Sequence, residues 1–182
     1  MNRQLVRISK FLSLVLRHKP EMIGLTLDRG GWVQIDELLL TVNRAGVPLN
    51  QDVLRQVVEQ DGKRRYSLSE NGRRIKANYG HSIPVDLGLE PLAPPEFLFH
   101  GTATRFLEAI RAEGLVPRGR NYVHLSPDES TAVTVGQRHG KPIILTIQAR
   151  RMHENGHRFH RSTGGVWLTK EVSVEYIQFL EH

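Results

Sequence analysis

The N-terminal third of the chain carries hydrophobic residues at helical spacing. The apolar positions of a first predicted helix lie on one face of it, at Leu5, Ile8, Leu12, Val15 and Leu16. This helix is expected to end at His18, because Pro20 lies just beyond it. A second helix is predicted to begin at Asp36, a good N-cap residue, and to stop at Gly46. A third is predicted over 51–62.

Two short segments rich in β-forming residues follow the helices. The segments 65–68 and 74–77 flank Asn71-Gly72, a pair that favours a tight hairpin turn. Three helices followed by a basic hairpin are typical of a winged helix, a common nucleic-acid-binding fold. The sequence therefore predicts a winged-helix, nucleic-acid-binding lobe over 1–82. A linker is predicted over 83–96, where four prolines break any regular period.

The rest of the chain, 97–182, alternates predicted strands and helices. Strands are expected at 97–100, 122–125, 142–147, 165–169 and 174–180, and a helix at 106–113 before Gly114. Ser126-Pro127-Asp128-Glu129 matches a capping box, with Ser126 as the N-cap and Glu129 at the third helical position. The predicted fold class of the whole chain is therefore α+β, with an N-terminal winged-helix lobe and a mixed α/β lobe after it.

Composition narrows the possible functions. The chain has 182 residues, 39% of them hydrophobic, and 25 Lys and Arg against 19 Asp and Glu, for a formal net charge of +6. This balance favours a polyanionic partner, nucleic acid first. Cysteine is absent, which excludes disulfides and thiolate chemistry. No run of 18 apolar residues or secretory signal is found, so we expect a cytoplasmic protein without a membrane span.

One literal motif match is rejected. His153-Glu154-Asn155-Gly156-His157 fits the H-E-x-x-H pattern of zinc proteases, which needs both histidines on one face of a stable helix. Asn155-Gly156 is instead a strong turn-forming pair and a poor helix pair. We therefore expect an adventitious surface cluster and no metal cofactor.

Basic residues gather at several points where they could recognise phosphate. They are Arg17-His18-Lys19, Lys63-Arg64-Arg65 on the predicted wing, and Arg118 with Arg120 in the second lobe. Arginine presents a planar fork of donors that matches phosphate oxygens and keeps its charge near neutrality. If arginines of both lobes met in one cleft they would form a phosphate clamp. A helix end complemented by cations is the plainer interpretation of Arg17 and His18.

Successive segments of the chain resemble the RNA 2′-phosphotransferase family. In order they are KFLSLVLRHKP, GLTLDRGGWVQIDELL, KRRYSL, KANYGHS, FLFHGT, GLVPRGRNYVHLS, VGQRHGKPIIL and GGVWLTKEV. Each alone is weak, but together they span nearly the whole chain in the family's order. The resemblance implies a C-terminal lobe of the ADP-ribosyltransferase type that binds NAD⁺ as co-substrate, and an RNA bearing an internal 2′-phosphate, similar to a tRNA splicing product, as the partner. We expect a monomer.

The resemblance also assigns site residues. The family's essential tetrad falls on Arg17, His18, Arg65 and Arg120. Expected NAD⁺ contacts are His100, Gly101, Thr102, His124, Ser126, Arg138, His139, Gly165, Val166 and Trp167. Gly101 is expected to let the backbone approach the cofactor. For Ser126 the N-cap role, and for Arg138 and His139 a solvated helix end, stay open as alternatives. Expected RNA contacts are Lys19, Arg64, Lys76, His81 and Ser82.

Three positions depart from the pattern of the family. Lys76 and Tyr79 stand where arginine and glutamine are more typical, and Gly164 stands where asparagine is common. None belongs to the tetrad. Trp32 and Trp167 are expected in the core and not as stacking platforms.

The reaction implied by the resemblance has two steps. The RNA 2′-phosphate displaces nicotinamide from NAD⁺, and transesterification then gives RNA with a free 2′-hydroxyl and ADP-ribose 1″,2″-cyclic phosphate. Two alternatives remain: an ADP-ribosyltransferase acting on nucleic-acid phosphate ends or on protein, and a non-catalytic winged-helix nucleic-acid-binding protein.

Overall fold

The computed structural model describes residues 3–179. The chain divides between Gly88 and Leu89 into two compact units, a first unit before this point and a second unit after it. Both mix helices with small sheets, so the fold is of the mixed α/β kind, with six α-helices among the described residues. Within residues 3–179, no helix combines the length and the apolar character that crossing a membrane requires.

The first unit contains three helices and one small sheet. In chain order its elements are α1 (Arg3–Arg17), a 3₁₀ helix (Pro20–Ile23), β1 (Trp32–Gln34), α2 (Ile35–Arg44), α3 (Gln51–Glu59), β2 (Tyr66–Leu68) and β3 (Arg74–Ala77). The sheet is antiparallel in the order β1-β3-β2, with Ile75 of β3 paired to both Val33 and Leu68. The three predicted helices and the hairpin are confirmed, and β1 was not predicted.

The core of the first unit collects the apolar faces of its helices and sheet. Leu12 and Leu16 of α1, Leu38 of α2, Leu54 of α3 and Ile75 of β3 are all almost completely buried. Burying each of these side chains contributes about 1.5–3 kcal/mol. The helical spacing of apolar residues in the sequence therefore marks the faces that form this core.

The helix ends were predicted with mixed success. Asn50 caps α3 by accepting a hydrogen bond from the backbone N–H of Val53 at 2.8 Å. The prediction that Asp36 caps α2 was wrong: the N-cap is Gln34, which forms no side-chain capping bond, and Asp36 lies in the first turn. The reason is that β1 runs directly into α2, which leaves no loop for a capping residue. The predicted turn at Asn71-Gly72 is confirmed, with Gly72 at φ 67°.

The second unit is built from two three-stranded antiparallel sheets with short helices. Its elements are β4 (Leu98–Ala103), a 3₁₀ helix (Thr104–Phe106), α4 (Leu107–Glu113), β5 (Val123–Leu125), α5 (Glu129–Gly136), a 3₁₀ helix (Gln137–His139), β6 (Pro142–Ile147), α6 (Ala149–Glu154), β7 (Phe159–Arg161), β8 (Trp167–Thr169), a 3₁₀ helix (Val174–Tyr176) and β9 (Ile177–Gln178). The sheets have the orders β4-β6-β9 and β5-β8-β7. The backbones of Phe99 and Ser126 form a bridge between β4 and the segment after β5.

Two predictions for the second unit were wrong. The N-cap of α5 is Asp128, which accepts from the backbone N–H of Thr131 at 2.8 Å, and not Ser126. Ser126 is instead paired through its backbone with Phe99. The segment 174–180 was predicted as one strand, but it begins as a 3₁₀ helix and only Ile177–Gln178 is extended, because it pairs with the end of β6. Leu180 lies outside the described residues.

The segment around the literal zinc-protease motif is helical only at its beginning. Helix α6 ends at Glu154, and Gly156 follows with φ 93°. His157 therefore lies beyond the helix, and its carbonyl oxygen is the partner of His153 Nδ1 at 3.3 Å. The two histidines do not share a helix face. Within residues 3–179, no group of three or more His, Cys, Asp or Glu side chains is placed to hold a metal ion.

Candidate active site

In the first unit, the end of α1 is joined to the segment that follows β3. The backbone N–H of Ser82 donates to the carbonyl of Arg17 at 3.0 Å, and Ser82 Oγ lies 2.9 Å from His18 Nδ1. The Arg17 guanidinium lies 5.0 Å from the centre of the Tyr79 ring. Gly80, at φ 86°, passes close to this guanidinium. The two consecutive tetrad residues are thus held by one short segment, 79–82.

Arg65 is held at the start of β2 by a buried carboxylate. Both its backbone N–H and its Nη1 donate to Asp61, whose side chain is 2% exposed. The hydroxyl of Tyr79 donates to the carbonyl of Lys63 at 2.8 Å, which ties the same loop to the segment beside Arg17. The loop of Arg65 and the end of α1 therefore share Tyr79 as a neighbour.

Arg17, His18 and Arg65 come together although they are far apart in the sequence. His18 and Arg65 line one groove of about 420 Å³, whose other polar residues are Ser9, Lys10 and Ser13. Burial raises the pKa of Tyr79, and the positive charges of Arg17 and Arg65 act in the opposite direction. Since both charges act on one phenol, both guanidinium groups lie near it. Two of the four predicted tetrad residues, His18 and Arg65, therefore line this groove, and Arg17 packs against the Tyr79 ring beside His18.

His81 lies beneath this cluster and is nearly fully buried. Its ring is 3% exposed, and neither ring nitrogen has a hydrogen-bond partner in the described residues. Burial, followed by the charges of Arg17, His18 and Lys76, lowers the pKa of His81 to about 4. The ring is therefore neutral near pH 7, and it adds no positive charge to a site that already contains two arginines.

The other predicted RNA contacts of the first unit lie at different places on it. Lys19 is exposed just after α1, and Arg64 is exposed in a left-handed backbone conformation, φ 45°. Lys76 is half-buried with its Nζ 4.8 Å from the centre of the Trp32 ring, and burial lowers its pKa. Trp32 itself is half-buried at the sheet surface, so the expectation that it belongs to the core was wrong.

In the second unit, two histidines are fixed by backbone carbonyls. His100 Nδ1 lies 3.1 Å from the carbonyl oxygen of His124, and His124 Nδ1 lies 3.0 Å from that of Tyr122. A carbonyl can only accept, so Nδ1 carries a proton in both rings. Burial lowers the pKa of His100, and the charges of His139 and Arg120 lower it further. Arg120 and His139 thus both act electrostatically on His100.

The two residues after His100 face helix α5. Thr102 is 6% exposed, and Gly101 lies so close to α5 that a Cβ on it would be 1.7 Å from the carbonyl oxygen of Ala132. Gly101 was expected to make room for a cofactor. The structure gives another reason for this glycine: the backbones of β4 and α5 are in direct contact.

The sheet that carries His124 also carries the predicted Gly165-Val166-Trp167 segment. Trp167 of β8 pairs with Leu125 of β5 and is 5% exposed, which confirms its place in the core. The turn before it is held by Ser162, whose hydroxyl accepts from the N–H of Val166 at 3.1 Å. Gly165 has φ 81° in this turn. Ser126 pairs with Phe99, the neighbour of His100, so these predicted contacts lie on adjoining strands.

The remaining predicted cations are on the surface of the second unit. Arg120 is exposed in the loop before β5, and Arg138 and His139 are exposed in the 3₁₀ helix that continues α5. Arg120 and His139 thus lie on different segments near the same histidine. The sequence reasoning did not single out Asp61 or Ser162. The only available signal was a small polar residue next to a glycine-containing turn, which is common in loops.

Comparison with known proteins finds one family model and several close relatives of similar length. Residues 3–171 match the family model described as RNA 2′-phosphotransferase, Tpt1 / KptA family. A protein of Acaryochloris marina named "Probable RNA 2′-phosphotransferase" is 51% identical over 181 residues, which are 100% of both chains. A protein of Agrobacterium fabrum with the same name is 55% identical over 169 residues, 93% of this chain and 91% of the relative. One of Escherichia coli, also so named, is 49% identical over 97% of both chains.

These matches identify the class of protein first: the chain is an enzyme, a transferase. It belongs to the RNA 2′-phosphotransferase, Tpt1 / KptA family. The resemblance on which the site residues were assigned is thereby confirmed.

Proposed function

We propose that the chain removes an internal 2′-phosphate from RNA in a two-step reaction that consumes NAD⁺. The observation that carries the proposal is a groove of the first unit lined by His18 and Arg65, with Arg17 next to His18 and packed on Tyr79, in a member of this family. Two guanidinium groups and an imidazole are suited to holding a phosphate dianion and to moving a proton beside it.

The proposed first step forms a bond to a sugar carbon. An oxygen of the RNA 2′-phosphate attacks the anomeric carbon of the nicotinamide ribose, the glycosidic C–N bond breaks, and nicotinamide leaves with the bonding electrons. The product is RNA whose 2′-phosphate carries ADP-ribose. Positioning matters most in such a step, because the nucleophile is already an anion and needs no base.

The proposed second step transfers the phosphoryl group. The ribose 2″-hydroxyl attacks phosphorus, the bond between phosphorus and the RNA 2′-oxygen breaks, and ADP-ribose 1″,2″-cyclic phosphate forms. The hydroxyl loses a proton and the departing RNA oxygen gains one, a transfer that we assign to His18. Arg17, Arg65 and Arg120 are assigned to the charge that develops on the phosphate oxygens.

The second unit offers residues suited to NAD⁺. The Nδ1 bonds of His100 and His124 to backbone carbonyls fix the orientations of both rings, which suits them to positioning the nicotinamide ribose end of NAD⁺. Arg138 supplies positive charge for the pyrophosphate, and His139 lies next to it on the same 3₁₀ helix. We therefore propose that the second unit is an ADP-ribosyltransferase-like lobe. Similarly, the order helix, strand, helix, helix, strand, strand in the first unit supports a winged helix that contacts a tRNA-like substrate.

The proposal predicts large effects of single tetrad substitutions. Removing one preorganised donor to a transition-state anion costs on the order of 10²–10³ in rate. His18→Ala and Arg120→Ala are each expected to lower turnover of a 2′-phosphorylated oligonucleotide by this factor. Arg118→Ala is the matched control, since Arg118 lies two residues from Arg120 but pairs with Glu113 at 2.8 Å on the surface. Rates near the wild-type value for either tetrad variant would remove that residue from the mechanism.

The decisive experiment separates the products. A short oligonucleotide with one internal 2′-phosphate is incubated with and without NAD⁺, and the products are resolved by chromatography and mass spectrometry. We expect 2′-hydroxyl RNA, nicotinamide and ADP-ribose cyclic phosphate, all dependent on NAD⁺. A stable ADP-ribosylated RNA as the end product would mean that the enzyme stops after one step. Binding of RNA without any change in it would overturn the proposal.

A further inference from the structure

Asp61 is a buried carboxylate between α3 and β2 that belongs to no assigned part of the site. We propose that Asp61 is the positioning residue for Arg65: it fixes the orientation in which the guanidinium meets the transferring phosphate. This inference rests on the proposed function, because it takes Arg65 as a phosphate ligand. In this proposal Asp61 touches neither the RNA nor NAD⁺ and acts only through Arg65.

The carboxylate of Asp61 collects donors from one short loop. It accepts from the backbone N–H and the Nη1 of Arg65, and from the backbone N–H of Lys63 at 3.3 Å. The Asp61 side chain is 2% exposed, whereas that of Arg65 is 27% exposed. The shared contact is therefore buried, and the rest of the guanidinium reaches the surface of the groove it lines with His18.

The other side of the same loop is held just as completely. Three consecutive carbonyls, those of Lys63, Arg64 and Arg65, accept at 2.8 Å from the Tyr79 hydroxyl, the Asn78 side-chain amide and the Asn78 backbone N–H. With its amides bound to Asp61 and its carbonyls bound to 78–79, the loop has one available conformation. This accounts for the left-handed backbone of Arg64, which persists only where its surroundings impose it.

The chemical consequence concerns how Arg65 enters the reaction. An arginine on a flexible loop must be ordered when substrate binds, which weakens its contribution to the transition state. Here Asp61 binds Nη1, and the guanidinium has further N–H donors that Asp61 does not use. The orientation is thus set before the phosphate arrives, which is the condition under which a donor contributes most.

The test is a double-mutant cycle with Asp61→Asn and Arg65→Ala. Asparagine keeps one oxygen that can accept from the backbone N–H of Arg65, but an NH₂ group replaces the other oxygen. The guanidinium therefore loses its acceptor, while the loop keeps a backbone hydrogen bond. We expect Asp61→Asn to lower kcat by about 10²-fold, the scale on which small misplacements act, with KM for NAD⁺ unchanged. In the Arg65→Ala background the same change is expected to lower kcat by no more than about threefold.

Asp28→Asn is the matched control. Asp28 accepts backbone N–H groups of Gly30 and Trp32 and pairs with Arg74 at 3.4 Å, so it has the same chemistry at a more exposed place in the same unit. It is expected to leave kcat within about threefold of wild type. If kcat of Asp61→Asn, corrected for the folded fraction, also stays within about threefold of wild type, the proposal is overturned. If its effect is equally large with and without Arg65, Asp61 acts elsewhere and the proposal is also overturned.

A second measurement is independent of turnover. In isotope-labelled protein, the guanidinium N–H signals of Arg65 are expected to exchange slowly with solvent in wild type and in Asp28→Asn, and to be broadened in Asp61→Asn. Fast exchange in wild type would overturn the inference even if the enzyme is active. If the wild type makes no cyclic phosphate but shows the slow signal, the proposed function fails and the positioning of Arg65 stands. Should Asp61→Asn not fold, Asp61→Glu, which misplaces the carboxylate by one methylene, replaces it in both measurements.

Discussion

Gly101 of β4 lies against the backbone of α5, and the change Gly101→Ala tests that contact. A Cβ built on Gly101 would lie 1.7 Å from the carbonyl oxygen of Ala132 and 3.0 Å from the backbone nitrogen of Gly136. These are backbone atoms of a helix, so no rotamer change can relieve the clash. Strand and helix would have to separate by roughly 1.5 Å to restore ordinary contact distances.

The cost of this separation follows from what it disrupts. Inserting an extra methyl group into a well-packed core costs about 1–3 kcal/mol when neighbouring side chains can adjust. Here a whole helix must move, which also loosens Ala132 and Gly136 against the strand. We therefore expect a loss of at least about 3 kcal/mol, equivalent to a fall in Tm of about 10 °C or more.

Thermal unfolding followed by circular dichroism measures the effect. The control is Gly62→Ala, because Gly62 is exposed, has an ordinary φ and would have no atom within 4 Å of an added Cβ. It is expected to leave Tm unchanged or slightly higher. If Gly101→Ala melts within about 2 °C of wild type but no longer binds NAD⁺, then the glycine serves the cofactor and not the packing of α5, and our reasoning is refuted.

Two further predictions concern pH and capping. Folding lowers the pKa of His81 from 6.5 to about 4. Between these pH values the unfolded chain binds a proton at His81 and the folded chain does not. The free energy of unfolding should therefore fall by up to about 3 kcal/mol as the pH drops from 6.5 to 4. His81→Leu, which loses no hydrogen bond, should flatten this dependence in urea titrations at several pH values; an unchanged slope would contradict it. Asp128→Ala removes the N-cap of α5 and should lower the free energy of unfolding by about 1 kcal/mol, whereas Ser126→Ala should lower it little. Equal decreases for the two variants in urea titrations would contradict the assignment of Asp128 as the cap. Hydrogen bonds from Ser130 and Thr131 lower the pKa of Asp128, so its contribution is present above the ordinary aspartate range and is lost as the pH falls through the lowered value.

The first unit was largely predictable because its helices are long enough to show their period. Helix α1 has 15 residues, with its buried positions on one face. The strand β1 was missed because its three residues bury only Val33, and so short a segment has no recognisable alternation. The N-cap of α2 was predicted wrongly for the same reason, because the unpredicted strand β1 runs directly into this helix.

In the second unit, contacts distant in sequence decided what local patterns left open. Ser126 was predicted as the N-cap of α5, but its backbone pairs with Phe99 and Asp128 caps the helix. Helix α6, six residues long with Ala149 and Met152 buried, is too short to stand out as a period. Sequence patterns therefore predict helices that are long enough to show a period, and they fail for short elements that form only through tertiary contacts.

The candidate site shows the same division at the level of single residues. The types and positions of Arg17, His18 and Arg65 pointed to phosphate chemistry, because few side chains combine permanent charge with a planar set of donors. What orients them did not stand out, since Asp61 and Asn78 are ordinary loop residues in the sequence. Their importance arises only when the loop of Arg65 is folded between them, with the amides and carbonyls of residues 63–65 each directed to a partner. The orientation of Arg65 in this candidate site therefore depends on buried groups of its own loop, and we expect substitutions at Asp61 to lower catalysis although Asp61 itself does not touch the substrate.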